Sequence, residues 1–228
     1  MLQPNQIPPY DTPIAGPQPE AGKVNVLQTV RTRLGGDRII GLIRNDTGGP
    51  VSSVKVAING SDANGNTGPL LQADGVTYLT FMAPGEVLPF EAQASLVDPI
   101  TYNVGTRWRP GMPAQAAYRD VQAQVTGTSR NNAGWLVVQG TVKNPTSAPR
   151  RNLSIVVGGY DAQGNLEDVG AGASDPPDLD PGQSAAFSVT LPANSAKATD
   201  FRVVVEAYDK SREPRNVDTP QGEGEARP

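Results

Sequence analysis

Short runs of alternating apolar and polar residues recur along the whole chain, and each run ends at a turn rich in Gly, Pro, Asn or Asp. Residues 54–58 are apolar at every second position and lead into Asp-Ala-Asn-Gly-Asn at 62–66. A period of two is the pattern of a half-buried strand, and Asn-Gly favours the positive φ values of a tight hairpin turn. The pattern therefore predicts an all-β chain of short antiparallel strands.

The same pattern occurs twice, with the second copy about 100 residues after the first. The following positions are identical without any gap: Gly41/Gly140, Asn45/Asn144, Thr47/Thr146, Pro50/Pro149, Asp62/Asp161, Gly65/Gly164 and Asn66/Asn165. Further along, a Pro-Gly turn followed by a phenylalanine matches in both copies, at Phe90 and Phe187. Such a repeat predicts two copies of one module.

The repeat and the proline distribution predict five segments. These are a Pro-rich disordered arm or tether at 1–22, a first module at 23–112, a linker at 113–118, a second module at 119–209 and a disordered tail at 210–228. Six of the 22 prolines lie in the arm, and proline-rich segments favour extended conformations. The tail is charged and almost free of apolar residues, which favours disorder.

About seven short strands per module predict two tandem antiparallel β-sandwiches of immunoglobulin or fibronectin type. The predicted strands cover 24–30, 39–43, 54–58, 76–81, 88–96 and 101–108 in the first module, and 121–126, 135–142, 153–157, 187–191 and 201–208 in the second. Residues 161–165 are predicted as a hairpin turn and residues 169–179 as a crossing segment. In the last strand Phe201, Val203 and Val205 are predicted to face the core, whereas Arg202, Val204 and Glu206 form a face toward solvent.

Composition excludes several kinds of chemistry. The chain has neither cysteine nor histidine, which removes the usual zinc sites, thiol catalysis and Ser-His triads. The net charge is -4 and no basic stripe is evident, which argues against a nucleic-acid partner. No apolar run is long enough to span a membrane and the start has no signal-peptide pattern, so we expect any signal or anchor to lie upstream.

The order of these motifs resembles the FxLYD domain. Gly-x-Val/Ile-x-Asn is followed by a Thr/Ser/Pro turn, an alternating strand into Tyr160-Asp161, and then Pro-Gly with a later Phe. The first copy has Ser61 where Tyr is expected and keeps Asp62. The likeness covers most of both modules but neither arm nor tail. It implies immunoglobulin-like modules of bacterial or archaeal extracellular and membrane-anchored proteins, and it supplies no catalytic residues.

Two groups of oxygen-bearing side chains suggest a calcium site as an alternative to plain turns. The first group is Asp62, Asn64 and Asn66 with its repeat Asp161 and Asn165; the second is Asp175, Asp178 and Asp180. Calcium loops place such residues at alternate positions and end on a bidentate Glu, but the corresponding positions hold Leu71 and Gly170. We therefore predict turns and solvated loops, without a cofactor.

Two tryptophans are candidate ligand or partner residues, because aromatic rings stack on sugars and peptides. Alternation places Trp135 on the face opposite Leu136 and Val138, although a twist at the start of the strand would bury it in the core. Trp108 is predicted to pack near the linker, with ligand binding as the alternative. Glycosidase chemistry needs two facing carboxylates, and nothing in the sequence sets Glu86, Glu91 or Asp98 opposite one another.

These observations predict a non-catalytic extracellular or cell-envelope protein of prokaryotic type, although the sequence also permits a cytoplasmic one. Its modules would act as a structural spacer, an adhesion element or an assembly unit that binds a protein partner or a second copy. One alternative is a carbohydrate- or peptide-binding module that uses exposed aromatic residues. Another is the accessory part of an envelope enzyme.

Overall fold

The computed structural model describes residues 13–32, 38–61, 72–93, 101–113, 117–192 and 197–208. These residues hold sixteen β-strands and no α-helix, so the predicted all-β fold is confirmed. The strands are β1 (Ile14–Ala15), β2 (Val24–Thr32), β3 (Arg38–Asn45), β4 (Val51–Ser61), β5 (Gln72–Val76), β6 (Phe81–Met82), β7 (Val87–Gln93), β8 (Thr101–Pro110), β9 (Ala117–Tyr118), β10 (Gln122–Arg130), β11 (Leu136–Lys143), β12 (Arg151–Tyr160), β13 (Leu166–Gly172), β14 (Ser174–Asp175), β15 (Ser184–Leu191) and β16 (Asp200–Tyr208).

All of these strands pair antiparallel, within two separate groups. Strands β1 to β8 form one eight-stranded sheet in the order β1-β2-β3-β7-β5-β4-β6, with β8 on β4. Strands β9 to β16 form two four-stranded sheets, β10-β11-β15-β14 and β13-β12-β16-β9. We call residues 14–110 the first half and residues 117–208 the second half. The predicted module boundaries stay a prediction.

The second half is a sandwich with its core between its two sheets. Ile155 and Val157 of β12 meet Val138 of β11 and Phe187 of β15 in this core, and all four are buried. The alternation of β11 and β15, apolar inward and polar outward, produces this arrangement because successive side chains point to opposite faces.

One pair of repeated residues serves packing inside the sheets. Gly41 lies directly opposite Phe90 in the β3–β7 pair, and Gly140 lies opposite Phe187 in the β11–β15 pair. In both places the phenylalanine ring occupies the space where a β-carbon on the glycine would stand. The glycine and the phenylalanine therefore recur together because each one requires the other.

A second repeated residue organises a turn. Asn45 is fully buried and donates its amide to the carbonyls of Gly49 (2.8 Å) and Met82 (3.1 Å), while its oxygen accepts the backbone N–H of Thr47 (3.0 Å). Asn144 makes the corresponding bonds in the second half, to Ala148, Leu179 and Thr146. A buried amide with partners on both ends fixes each turn, and both ends of the amide are satisfied without water.

The structure differs from the predicted strands in two places. The strand predicted at 76–81 is interrupted, because β5 ends at Val76 and β6 begins at Phe81. Tyr78 between them has a φ of 62°, which no strand residue adopts, and the Thr77 hydroxyl donates to the Leu79 carbonyl (2.9 Å). The crossing segment predicted at 169–179 contains most of β13 and all of β14. This segment was not predicted as a strand because its glycines interrupt the alternation of apolar and polar residues. Gly170 is needed there, since it lies against the Thr190 carbonyl, where a side chain would not fit.

Parts of the predicted arm and linker are paired strands. Ile14 and Ala15 form β1, opposite Thr29 and Gln28 of β2. Ala117 and Tyr118 form β9, opposite residues 207–208 of β16. Residues 1–12 of the arm and the predicted tail lie outside the described residues.

Candidate functional site: the junction and the uncovered faces

The two halves meet through a buried contact that we call the junction. It joins the outer faces of β3 and β7 in the first half to the outer faces of β12, β13 and β16 in the second. One hydrophobic cluster contains Ile40 and Leu42 of β3 together with Val156, Leu166 and Val169 of the second half. Apolar area removed from water stabilises such a contact by about 25 cal/mol per Å².

The first polar group of the junction surrounds Arg38, whose side chain is 2% exposed. Its guanidinium lies 2.9 Å from the Glu91 carboxylate in its own half and 3.4 Å from Asp168 across the junction, and Asp168 is fully buried. Tyr78 donates its hydroxyl to Glu91. Burial, reinforced by that hydrogen bond, raises the pKa of Tyr78 well above its usual value. Charges removed from water remain stable only when paired in this way.

One backbone contact lies beside this group. The Gln28 side-chain oxygen accepts the N–H of Leu166 across the junction at 3.0 Å. The Gln28 amide nitrogen and the Arg38 Nη1 atom are buried and find no hydrogen-bond partner within the described part of the chain. The Arg38 group is thus held by ion pairing and by the surrounding packing rather than by a complete hydrogen-bond network.

The second polar group of the junction surrounds Glu206 of β16, which is fully buried. Its carboxylate accepts the backbone N–H and the hydroxyl of Thr80 in the first half, at 3.0 and 2.9 Å. Arg119 donates to Glu206 at 2.5 Å and to Glu86 of the first half at 3.2 Å. Burial, followed by its hydrogen bond to Glu206, raises the pKa of Tyr208 to about 12. The predicted solvent face of β16 is therefore wrong at Val204 and Glu206, because the first half covers it.

The segment that begins at Asp161 is a hairpin turn in the structure, as predicted, with calcium binding as the alternative. Its carboxylate accepts the backbone N–H groups of Gln163 (2.9 Å) and Asn165 (2.8 Å) as well as the Asn165 side-chain amide (2.9 Å). Gly164 has the positive φ that this turn requires. The oxygens that a cation would need thus hold the turn together. The repeat at Asp62, Asn64 and Asn66 lies outside the described residues.

The acidic loop of the second half binds an arginine. Asp180 lies 2.8 Å and Asp178 3.7 Å from the guanidinium of Arg151, and Asp178 also accepts the backbone N–H of Asn152. Asp175 is exposed on β14. Within the described ranges no group of three acidic side chains is arranged to hold a metal ion.

We predict a measurable effect of pH at Asp161. Hydrogen bonds, chiefly from the Asn165 side chain, hold the pKa of Asp161 below its ordinary value of 3.8. A carboxylate with a depressed pKa stabilises the fold above its unfolded pKa, and this contribution is lost as pH falls through the folded pKa. NMR titration should therefore find the Asp161 pKa below 3.8. We expect Asp161→Ala to unfold more easily than the original chain at pH 7 and equally easily near pH 2. If the variant were as stable as the original chain at pH 7 as well, the stabilising role of this carboxylate would be contradicted.

Trp135 is exposed, with 42% of its surface accessible. A tight turn fixes its position, because the Asn131 side chain accepts the N–H groups of Ala133 and Trp135, both at 3.0 Å. Arg130 donates to the Gly134 carbonyl at 2.7 Å. Of the two interpretations left open by the sequence, the structure therefore favours the exposed one.

Trp135 begins the outer face of β11 and β15, which we call the Trp135 face. It consists of Trp135, Val137, Gln139, Thr141, Ser188 and Thr190, placed together by strand alternation and by the β11–β15 register. All of these side chains are uncharged, and the exposed Lys143 at the end of β11 continues the same face. A shallow depression lies over the middle of the face, with Asp175 at its rim.

Trp108 packs against the cluster that contains the junction residues, and it is only partly exposed. The predicted packing of Trp108 near the linker stays a prediction. The carboxylates considered for glycosidase chemistry are not brought together, since Glu86 pairs with Arg119 and Glu91 with Arg38. Asp98 lies outside the described residues.

A row of cations occupies the outer face of β4 and β8, where Lys55, Arg107 and Arg109 are all exposed. Lys55 lies directly opposite Arg107 in the register of the two strands. We call these three residues the basic row. Sequence reasoning missed it because Lys55 is distant along the chain from Arg107 and Arg109 and joins them only through the β4–β8 register.

Neither a protein-family model nor a curated protein matches this chain. The resemblance to FxLYD domains therefore stays a prediction. Of the residues placed by the structure, none belongs to a helix that is long and apolar enough to cross a membrane.

Proposed function

We propose that this protein is a non-catalytic spacer and assembly element of the extracellular space or cell envelope. The junction is the observation that carries this proposal. Its buried ion pairs and its shared hydrophobic cluster favour one relative orientation of the two halves, which is what a spacer needs. The location is inferred from the resemblance to FxLYD domains.

The outer faces of β11–β15 and of β4–β8 are polar, which supports a unit of two halves rather than a longer array of stacked repeats. The second half has Gln139 and Thr141 where the first half buries Ile40 and Leu42 in the junction. The first half likewise has Arg107 at the position where the second half buries Glu206. Terminal units of stacked repeats have polar outer faces for the same reason, since no neighbour covers them.

The expected rigidity can be measured with spin labels at introduced cysteines. The natural chain has no cysteine, so Asn59→Cys and Thr128→Cys would label one exposed strand position in each half. We expect a single narrow distance distribution by double electron–electron resonance, at low and at physiological salt. A broad or multiple distribution would contradict the spacer role.

Carbohydrate binding by the Trp135 face is a second candidate function. An exposed tryptophan held by a tight turn offers a stacking surface at little conformational cost, and the neighbouring amides and hydroxyls offer hydrogen bonds. The charged side chains of the described part of this face lie at its margins, Asp175 at the rim of the depression and Lys143 at the end of β11. Because the middle of the face is uncharged, it suits a neutral glycan better than a charged one.

Fluorescence can test this candidate with Trp135 as the only tryptophan. In a Trp108→Phe background, we expect cellohexaose, chitohexaose or mannohexaose to change the emission saturably at millimolar concentration. Trp135→Phe in the natural chain is the control, in which Trp108 should not respond. If none of the three sugars shifts the emission, stacking of these glycans on Trp135 is excluded and the candidate loses its support.

A further inference from the structure

Among the residues that the structure describes, strand β8 is paired on one side only. It hydrogen-bonds to β4, and no main-chain hydrogen bond from the described residues reaches its other edge. Near its middle, the Thr106 hydroxyl donates to the Val24 carbonyl at 2.6 Å, which holds this part of β8 close to β2. Within the described ranges, the unpaired edge beyond that contact covers residues 107–110, of which Pro110 contributes only its carbonyl. Such an edge offers N–H and C=O groups to an incoming strand.

In the second half, the edge that corresponds to the free edge of β8 is paired with another strand. Strand β16 is the counterpart of β8, since Glu206 lies opposite Ser154 as Arg107 lies opposite Lys55. Its far edge pairs with β9 at Ala207 and Tyr208. In the first half, the short strand that precedes the main strands is β1, and it pairs with β2. No described residue therefore takes on β8 the place that β9 has on β16.

The charges beside this edge indicate what would fit there. Arg107 and Arg109 are exposed at alternate positions of β8, and Lys55 lies directly across from Arg107. Like charges directly opposite each other destabilise a sheet. No carboxylate of the described residues pairs with these three cations. An added strand with acidic side chains at alternate positions would place them about 5 Å from the arginines and offset the repulsion.

We propose that the edge of β8 binds an extended segment of a partner protein with acidic residues at alternate positions, by strand addition. This inference rests on the assembly part of the proposed function and names the chemistry of the partner. A second copy of this chain fits poorly, because two β8 strands side by side would bring four arginines together.

The proposal can be tested with the full chain and a fluorescent ten-residue peptide in which glutamate alternates with valine or threonine. We expect saturable binding by anisotropy at 150 mM salt. Arg107→Glu with Arg109→Glu should weaken it at least tenfold, and a peptide with lysine in place of glutamate should bind this variant but not the original chain. N-methylation of the peptide amides facing β8 should abolish binding, whereas N-methylation of the other alternate set should be tolerated.

Three results would overturn the proposal. They are absence of binding at millimolar peptide, equal binding by both N-methylated peptides, and a dimer in sedimentation that disappears in the charge-reversed variant. The spin-label distances separate this failure from failure of the proposed function. A narrow distance distribution without peptide binding would support the spacer function and contradict strand addition. A broad distribution with peptide binding would contradict the spacer function and support strand addition.

Discussion

Gly140→Ala will destabilise the fold by about 3 kcal/mol, at the upper end of the cost of overpacking. A β-carbon at this position would lie well under 3.0 Å from the Gln124 carbonyl oxygen and from the ring of Phe187. The ring is buried in the core and the carbonyl belongs to the neighbouring strand, so neither can move away cheaply. Thermal unfolding should show a midpoint lower by roughly 6–12 °C for a chain of this size.

The matched control for this change is Gly105→Ala in β8. No heavy atom lies within 4 Å of a β-carbon built there, and the residue has no positive φ. Its midpoint should stay the same or rise slightly, because alanine restricts the unfolded chain. Equal destabilisation by both substitutions would show that the glycine-phenylalanine pair has no special role. Phe187→Leu added to Gly140→Ala should recover only part of the loss, since the Gln124 carbonyl remains.

Arg38→Met will destabilise the protein by about 3–5 kcal/mol and broaden the spin-label distances. The substitution removes the guanidinium that lies 2.9 Å from the largely buried Glu91 carboxylate and 3.4 Å from Asp168, and a buried carboxylate that loses its cation is costly. Arg202→Met is the control, because Arg202 pairs with Asp200 at the surface, where both are more than half exposed. Surface pairs contribute about 0–1 kcal/mol, so this variant should unfold almost like the original chain.

A combined variant distinguishes pairing from packing at the same place. If Arg38→Met acts through the loss of the cation beside Glu91, then adding Glu91→Met should restore part of the stability, since apolar groups of similar volume can replace a buried ion pair. Failure of the double variant to recover would indicate that packing around Arg38 is what matters. Stability of Arg38→Met close to that of the original chain would contradict the importance of the junction.

Sequence reasoning predicted the strands and turns well because their signals are local. The repeated Asn45 and Asn144 are turn residues by type and also in the structure, where each bonds to carbonyls near it in space. The Asp161 turn was predicted from residue types alone. Strand β14 was missed because it consists of two residues within a loop rich in proline and acidic residues.

The junction was not predicted, although one signal for it lies in the sequence. Strand β3 is apolar on both faces, through Ile39 and Ile43 on one side and Ile40 and Leu42 on the other, whereas its copy β11 alternates. A strand that is apolar on both faces is covered on both. Glu206 gave no such signal, because a charged residue in an alternating strand resembles a solvent-facing one, and its partners Thr80 and Arg119 are distant in sequence.

The junction joins unlike faces, the β3–β7 face of one half and the β12–β16 face of the other. A contact of this kind has no twofold axis and gives the molecule a direction. One end presents an indole ring on a mostly uncharged surface, and the opposite end presents the basic row. If the molecule were attached through one end, the other end would always face away from the attachment site. The two ends could then bind different partners.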